Sequence, residues 1–124
     1  MNILDTSAIQ DRVAPGMTMH QLLPLRGYKH WIDGQFTQIS MYVTYGGIPH
    51  IFTIDESGSG GIKLFDASDP ANLQLRNVIK LAINLPQNMD RWASSAINDG
   101  FFGYDPHYCS FDRQDNPQAL ACGW

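Results

Sequence analysis

The sequence predicts a mixed α+β domain. A four-stranded antiparallel meander over about residues 28–66 is expected to pack against one or two helices, at about 69–85 and 88–98, and an irregular aromatic tail follows. Three observations predict it. Turn-forming glycines separate strand-like segments, Asp-Pro and Asn are suitable starts for two helices, and 124 residues with 44% hydrophobic residues suffice for one core. We therefore treat residues 1–124 as a single domain.

The turns define the meander. Asp33-Gly34 and Gly46-Gly47 are strong signals for two-residue hairpin turns, and the glycine-rich residues 57–61 form a looser one. No Walker pattern follows those glycines, so we interpret them as a turn and not as a phosphate-binding loop. The predicted strands are residues 28–32, 35–45, 48–55 and 62–66.

These turns also predict the register and the two faces of the sheet. Tyr45 should lie opposite Ile48, Val43 opposite His50 and Met41 opposite Phe52, and side chains alternate between faces. The apolar face, expected to meet the core, comprises Tyr28, His30, Ile32, Ile39, Met41, Val43, Tyr45, Ile48, His50, Phe52 and Ile54.

The opposite face is polar but carries an aromatic cluster. The register places Trp31 opposite Phe36 and Tyr42 opposite Ile51, and exposed Trp and Tyr are enriched at interface hot spots. This face predicts a partner-binding surface, unless the first 26 residues or the aromatic tail cover it. Its candidate residues are Lys29, Trp31, Phe36, Gln38, Tyr42, Thr44 and Ile51.

The next segment has two periodicities. Asp69-Pro70 is a good helix start, and the apolar residues of 69–85 recur with helical spacing, yet odd positions from Leu73 to Leu85 also alternate as in a strand. We favour the helix, because Leu, Gln, Arg, Lys and Ala are good helix formers. A second helix should start at Asn88 and end near residue 98.

Composition and charge narrow the function classes. The net charge of −4 argues against capture of nucleic acid or of an anionic membrane, and no apolar run is long enough to span a bilayer. The start of the chain lacks the pattern of a signal peptide, so we expect a soluble cytoplasmic protein with Cys109 and Cys122 as free thiols. The eleven Asp and one Glu favour turns and caps over helical surfaces.

Two segments carry metal-ligating side chains. Residues 3–9, Ile-Leu-Asp-Thr-Ser-Ala-Ile, resemble the opening strand of PIN-domain ribonucleases, a resemblance that implies a magnesium ligand at Asp5. The antiparallel meander departs from the parallel sheet of that family, so we interpret Asp5 as a turn or cap residue. Asp105, His107 and Cys109 suit zinc chemically, but the paired spacing of a zinc site is missing, and a loop is the simpler interpretation.

No catalytic motif or cofactor-binding loop emerges. We therefore expect a non-enzymatic protein that acts by contact with another protein, such as an immunity protein or a phage-type, anti-CRISPR-like inhibitor of a host defence system. The alternative is a small metal-dependent hydrolase or nuclease that uses Asp5 or the Asp105/His107/Cys109 cluster. Self-association into a homo-oligomer stays open.

Overall fold

The computed structural model describes residues 1–10, 16–18, 21, 23–34, 36–56, 60–95 and 103–124. It confirms the α+β class and the four-stranded antiparallel meander, with different outer strands. The strands are β1 (Asn2–Leu4), β2 (Leu25–Tyr28), β3 (Phe36–Tyr45), β4 (Ile48–Glu56), β5 (Gly61–Asp66), β6 (Gln74–Ile79), β7 (Cys109–Phe111) and β8 (Leu120–Cys122). The helices are α1 (Ser7–Gln10), α2 (Met89–Ser95) and two 3₁₀ turns, Ala82–Asn84 and Pro86–Asn88.

The central sheet has the order β3-β4-β5-β6. The predicted pairs at the β3–β4 hairpin, Tyr45 with Ile48, Val43 with His50 and Met41 with Phe52, are confirmed. Gly46 and Gly47 have φ values of 58° and 78°. A tight hairpin turn that matches the twist of the strands needs positive φ at both positions, and glycine adopts this readily, so the register was predictable here.

The prediction that residues 28–32 form the first strand of the meander is wrong. Tyr28 ends β2, which pairs with β1 in a separate two-stranded sheet, Asn2 lying opposite Tyr28. Asp33-Gly34 is therefore not a hairpin turn between neighbouring strands. Residues 29–34 instead form a segment that lies against the central sheet, and we call this segment the strap.

The predicted helix over 69–85 is also wrong. Its middle forms β6, antiparallel to β5, and β6 is the fourth strand of the meander. The Asp69 carboxylate accepts a hydrogen bond from the Ala71 amide, 3.0 Å away, but this bond closes a turn. Pairing with the apolar strand β5 supplies the backbone hydrogen bonds, and tertiary pairing thereby overrides helix propensity. The helix predicted at 88–98 is confirmed as α2, although residues 96–98 lie outside the described part.

One face of the sheet meets the core, as predicted for its central residues. Val43, Phe52, Ile54 and Ile62 are buried together with Cys109. The β7–β8 hairpin covers this face, and Phe111 packs edge-on against Phe52 with ring centroids 4.8 Å apart. Tyr28 and Ile32, which were expected on this face, are 68% and 91% exposed because they lie outside the sheet.

Cys109 and Cys122 are bonded to each other, so the expectation of free thiols is wrong. The two residues lie directly opposite each other in the β7–β8 hairpin, with their Cα atoms 4.1 Å apart. The hairpin loop then docks on the edge of β3: the Thr44 amide donates to the Gln114 carbonyl at 3.0 Å, and the Asn116 amide donates to the Thr44 carbonyl at 2.8 Å.

The N-terminal segment covers the other face. The Lys29 ammonium donates to the Leu73 carbonyl at 2.9 Å, and the Met1 amino group donates to the Lys29 carbonyl at 3.0 Å. Gly27 lies so close to the 69–72 turn that a Cβ atom built on it would be 1.7 Å from the Pro70 carbonyl oxygen. Among the described residues, no helix is long and apolar enough to cross a membrane.

Candidate binding surface

The strap is fixed to the sheet by a buried ion-pair network. Lys63 of β5 is 2% exposed, and its ammonium lies 2.7 Å from Asp55 Oδ2 and 2.9 Å from Asp33 Oδ1 of the strap. It also donates to the Gly60 carbonyl at 2.9 Å. The second oxygen of the Asp55 carboxylate accepts from Thr37 Oγ1 at 2.6 Å. Each buried charge is therefore paired and hydrogen-bonded, which is the condition for tolerating it.

Asp33 is the strap's anchor in this network. Burial alone would raise the pKa of Asp33, but the hydrogen bond and positive charge of Lys63 outweigh burial and lower it. Lys80, whose ammonium lies 3.3 Å from Asp33 Oδ2, lowers the pKa of Asp33 further. The carboxylate is therefore held in its charged form, and the strap contacts both β5 and the segment after β6.

Trp31 belongs to this strap and not to a sheet strand. Its ring stacks on Phe65 with centroids 5.6 Å apart, and the Lys63 ammonium lies 5.3 Å from the ring centroid. The prediction that Trp31 lies across a strand pair from Phe36 is therefore wrong. Lys29 and Trp31, both proposed for partner binding, make contacts within the molecule.

Phe36 and Gln38 lie at the beginning of β3, where a bulge changes the register. Phe36 pairs with Glu56, so alternation along β4 places it on the side of Ile54 and not on the side of Tyr42. Gln38 donates to the Glu56 carboxylate, and His107 Nδ1 lies 3.0 Å from Glu56 Oε1. Phe36 remains 61% exposed. The two residues thus form a separate surface from the rest of the predicted set.

Tyr42 and Ile51 remain together, opposite each other as predicted. They line a groove of about 250 Å³ between the N-terminus and the β3–β4 face. We call it the Tyr42 groove, and its lining residues are Met1, Asn2, Ile3, Ser40, Met41, Tyr42 and Ile51. Tyr42 is 51% exposed, and Tyr28, opposite Asn2 in the β1–β2 pair, is 68% exposed. The groove therefore has one half-exposed tyrosine, Tyr42, in its wall.

Thr44, the last residue of the predicted set, lies at the β3 edge. Its hydroxyl donates to the Asp115 carboxylate, and its backbone is bonded to the β7–β8 loop. The hydroxyl, N–H and C=O of Thr44 are therefore all hydrogen-bonded within the molecule. The N-terminal residues that line the groove were not predicted, because nothing in the sequence of Met1 to Ile3 indicates which part of the fold they contact.

Asp5 is a turn residue directly before α1. Its carboxylate accepts hydrogen bonds from the side chain and backbone of Ser7, at 2.6 and 2.9 Å, and from Arg26 at 2.5 Å. These bonds, from the Ser7 hydroxyl first, then the Ser7 amide and Arg26, lower the pKa of Asp5. The interpretation as a turn residue fits this geometry, because the Thr6 carbonyl accepts the first hydrogen bonds of α1, and both carboxylate oxygens of Asp5 are engaged.

The Asp105/His107/Cys109 cluster does not form a metal site. The Cys109 sulfur is bonded to Cys122 and cannot supply a thiolate ligand, so the alternative that places Cys109 in a metal site is wrong. Asp105 accepts from the Trp92 ring nitrogen at 3.1 Å, and His107 is directed to Glu56. In the described part of the chain, no three His, Cys, Asp or Glu side chains converge as a metal ion would require.

Comparison with known proteins assigns neither a family nor a function to these residues. No family model, curated protein or solved structure matches the chain.

Proposed function

We propose that the protein acts by binding another protein at the Tyr42 groove, as an immunity protein or a phage-type inhibitor of a host defence system would. The observation that carries the proposal is a half-exposed tyrosine beside an apolar groove. Tyrosine supplies a large, rigid contact surface with a polar end, and it is enriched at interface hot spots. The net charge of −4 favours a protein partner over nucleic acid.

The proposal narrows the predicted surface. Lys29, Trp31 and Thr44 contact other parts of the chain, and Phe36 lies on the other side of the sheet, so Tyr42 and Ile51 are the predicted residues that supply the site. Trp31 is then a structural residue, and its removal would disturb the strap in the unbound protein.

The compartment is part of the proposal. The cytoplasmic location predicted from the sequence stays a prediction, and the Cys109–Cys122 disulfide favours an oxidising compartment instead. An immunity protein or an inhibitor is compatible with either location, since both act by contact.

The test compares capture of proteins from the source organism by the wild type, Tyr42→Ala and Tyr104→Ala. Tyr104 is 50% exposed, so it matches Tyr42 in exposure without lining the groove. We expect a protein that wild type and Tyr104→Ala retain and that Tyr42→Ala loses, with all three folded by circular dichroism. Equal capture by all three would refute the site.

A further inference from the structure

We propose that the partner binds as an extended segment that adds a strand to β3, beside Ser40 and Tyr42. The inference rests on the proposed function, because the same groove is used, and it specifies the chemistry of the partner. The added strand would be held by backbone hydrogen bonds, and one of its apolar side chains would enter the Tyr42 groove.

The direction of the β3 backbone groups carries this inference. Thr44 directs its N–H and C=O away from β4, because both are bonded to residues 114 and 116 of the β7–β8 loop. Backbone direction in a strand repeats every second residue, and the bulge of β3 lies before Ser40. Ser40 and Tyr42 therefore direct their own N–H and C=O groups to the same open side.

This edge is open at Ser40 and Tyr42. Within the described ranges, β3 pairs with β4 alone, and no backbone partner engages the outward groups of these two residues. Ser40 and Tyr42 are exposed, while Val43 is buried. An exposed row of unpaired ladder groups is a template for another strand.

The protein itself already uses this edge. The Thr44–Asp115 bridge is parallel, so an extended piece of the β7–β8 loop lies beside the last part of β3. That loop blocks the edge at Thr44 and leaves the outward backbone groups of Ser40 and Tyr42 unpaired, while the Ser40 hydroxyl donates to Met1 Sδ at 3.8 Å. The opposite edge differs, because the Val78 amide of β6 already donates to the Asn77 side chain at 2.8 Å.

The surroundings define the side chains of the added segment. A residue laterally adjacent to Tyr42 would share its face and would point into the groove lined by Met1, Ile3 and Ile51, which favours an apolar side chain. Asp115 lies at the Thr44 end of the edge, and the net charge is −4. Alternating apolar and basic residues fit this edge best.

The first test uses a short synthetic peptide of alternating valine and lysine, with two analogues N-methylated on all valines or on all lysines. We expect chemical-shift changes at the Ser40 and Tyr42 amides. One analogue should bind as the parent does and the other should bind at least about tenfold more weakly, since only alternate amides face β3. Equal binding by both analogues, or no shift at millimolar peptide, would overturn strand addition.

The second test uses variants of the protein. Ser40→Pro removes the outward donor, and Ser40→Ala retains it as the matched control; proline is tolerated at outward positions of edge strands. We expect Ser40→Pro to lose the peptide and Ser40→Ala to retain it. Should Ser40→Pro fail to fold, the N-methylated peptides decide alone.

Three further outcomes separate the two proposals. Protection of the Ser40 and Tyr42 amides from hydrogen exchange in the free protein would overturn the open edge. A dimer that Ser40→Pro abolishes would assign the edge to a second copy and overturn the partner segment. If Tyr42→Ala loses a captured protein that Ser40→Pro retains, strand addition fails while the proposed function stands.

Discussion

Lys63 is the sheet residue that binds the strap, and through the strap it attaches the N-terminal segment to the sheet. Its ammonium contacts Asp33 of the strap, Asp55 of the neighbouring strand β4, and the Gly60 carbonyl in the loop between β4 and β5. An ammonium has three N–H donors and no acceptor, so these three oxygens satisfy it completely. Removal of this side chain would leave the Asp55 carboxylate buried without its charge partner.

We expect Lys63→Met to lower the free energy of unfolding by about 3–5 kcal/mol, the usual cost of one orphaned buried charge. Asp55→Leu should cost a similar amount, while the double variant should cost clearly less than the two together, because both charges leave at once. Urea unfolding measures all three. The control is Arg113→Met, which removes a 59% exposed partner of Asp112 and should leave the free energy of unfolding nearly unchanged. Strictly additive costs for Lys63 and Asp55 would contradict the coupling.

At this scale the sequence predicted what depends on near neighbours. The turn role of Asp5 and the Tyr42–Ile51 pair follow from local spacing and turn geometry. The position of Trp31 was not predictable in this way, because its contact with Phe65 joins residues far apart in the chain. The bulge that turns Phe36 to the other side of the sheet also has no local signal.

Among the elements, the β1–β2 hairpin depends on one glycine. Gly27 lies against the backbone of the 69–72 turn, where a Cβ would overlap the Pro70 carbonyl oxygen at 1.7 Å. That atom belongs to the backbone, so it cannot move aside as a flexible side chain would. The hairpin and the turn must separate to admit any larger residue.

Gly27→Ala should therefore destabilise the protein by about 1–3 kcal/mol and increase hydrogen exchange in β1 and β2. Gly123→Ala is the matched control, because the nearest atom to its added Cβ is 3.8 Å away, which is an ordinary contact. Calorimetry and amide exchange measure the two effects. Equal stability of both variants would show that the hairpin does not pack against the turn.

The β7–β8 hairpin is held by its disulfide. Cys109 and Cys122 are 13 residues apart, and closing a loop of this size stabilises the folded state by about 3 kcal/mol in the chain-entropy account. Reduction should therefore lower the melting temperature by roughly 10–20 °C. The Cys109→Ala/Cys122→Ala variant should be insensitive to reductant. A wild-type melting temperature that reductant leaves unchanged would contradict this role.

Elements whose turns carry their own conformational requirement were predictable, and elements defined by pairing were not. Gly46-Gly47 specifies a hairpin by itself, and β3 and β4 follow from it. Residues 69–85 carry both periodicities, and pairing with β5 determined the result. Asp33-Gly34 has the composition of a hairpin turn, yet Asp33 is used as an anchor for Lys63.

In the whole molecule, the sheet lies between two covers from opposite ends of the chain. The N-terminal segment covers the Trp31 side, and the C-terminal hairpin covers the Phe52 side. Four carboxylates with lowered pKa values are spread over these parts: Asp5 beside β1, Asp33 in the strap, Asp66 at the end of β5 and Asp112 in the β7–β8 loop. Asp33 joins the N-terminal cover to the sheet through Lys63, while Asp5, Asp66 and Asp112 each bond to residues near them in the same part of the fold.

This distribution predicts acid sensitivity of the entire fold. Each of the four groups has a folded-state pKa below its usual value of 3.8, so each stabilises the folded protein fully above about pH 4, and this stabilisation is lost as pH falls through the folded-state values. We expect the free energy of unfolding in urea to change little between about pH 7 and pH 5 on account of these groups, and to fall steeply towards pH 2.5. Asp33→Asn should lower the free energy of unfolding at neutral pH. It should also make this free energy fall less steeply in acid, because one of the carboxylates whose protonation destabilises the fold is absent. A free energy of unfolding that stays constant or rises below pH 4 would contradict the role of these carboxylates.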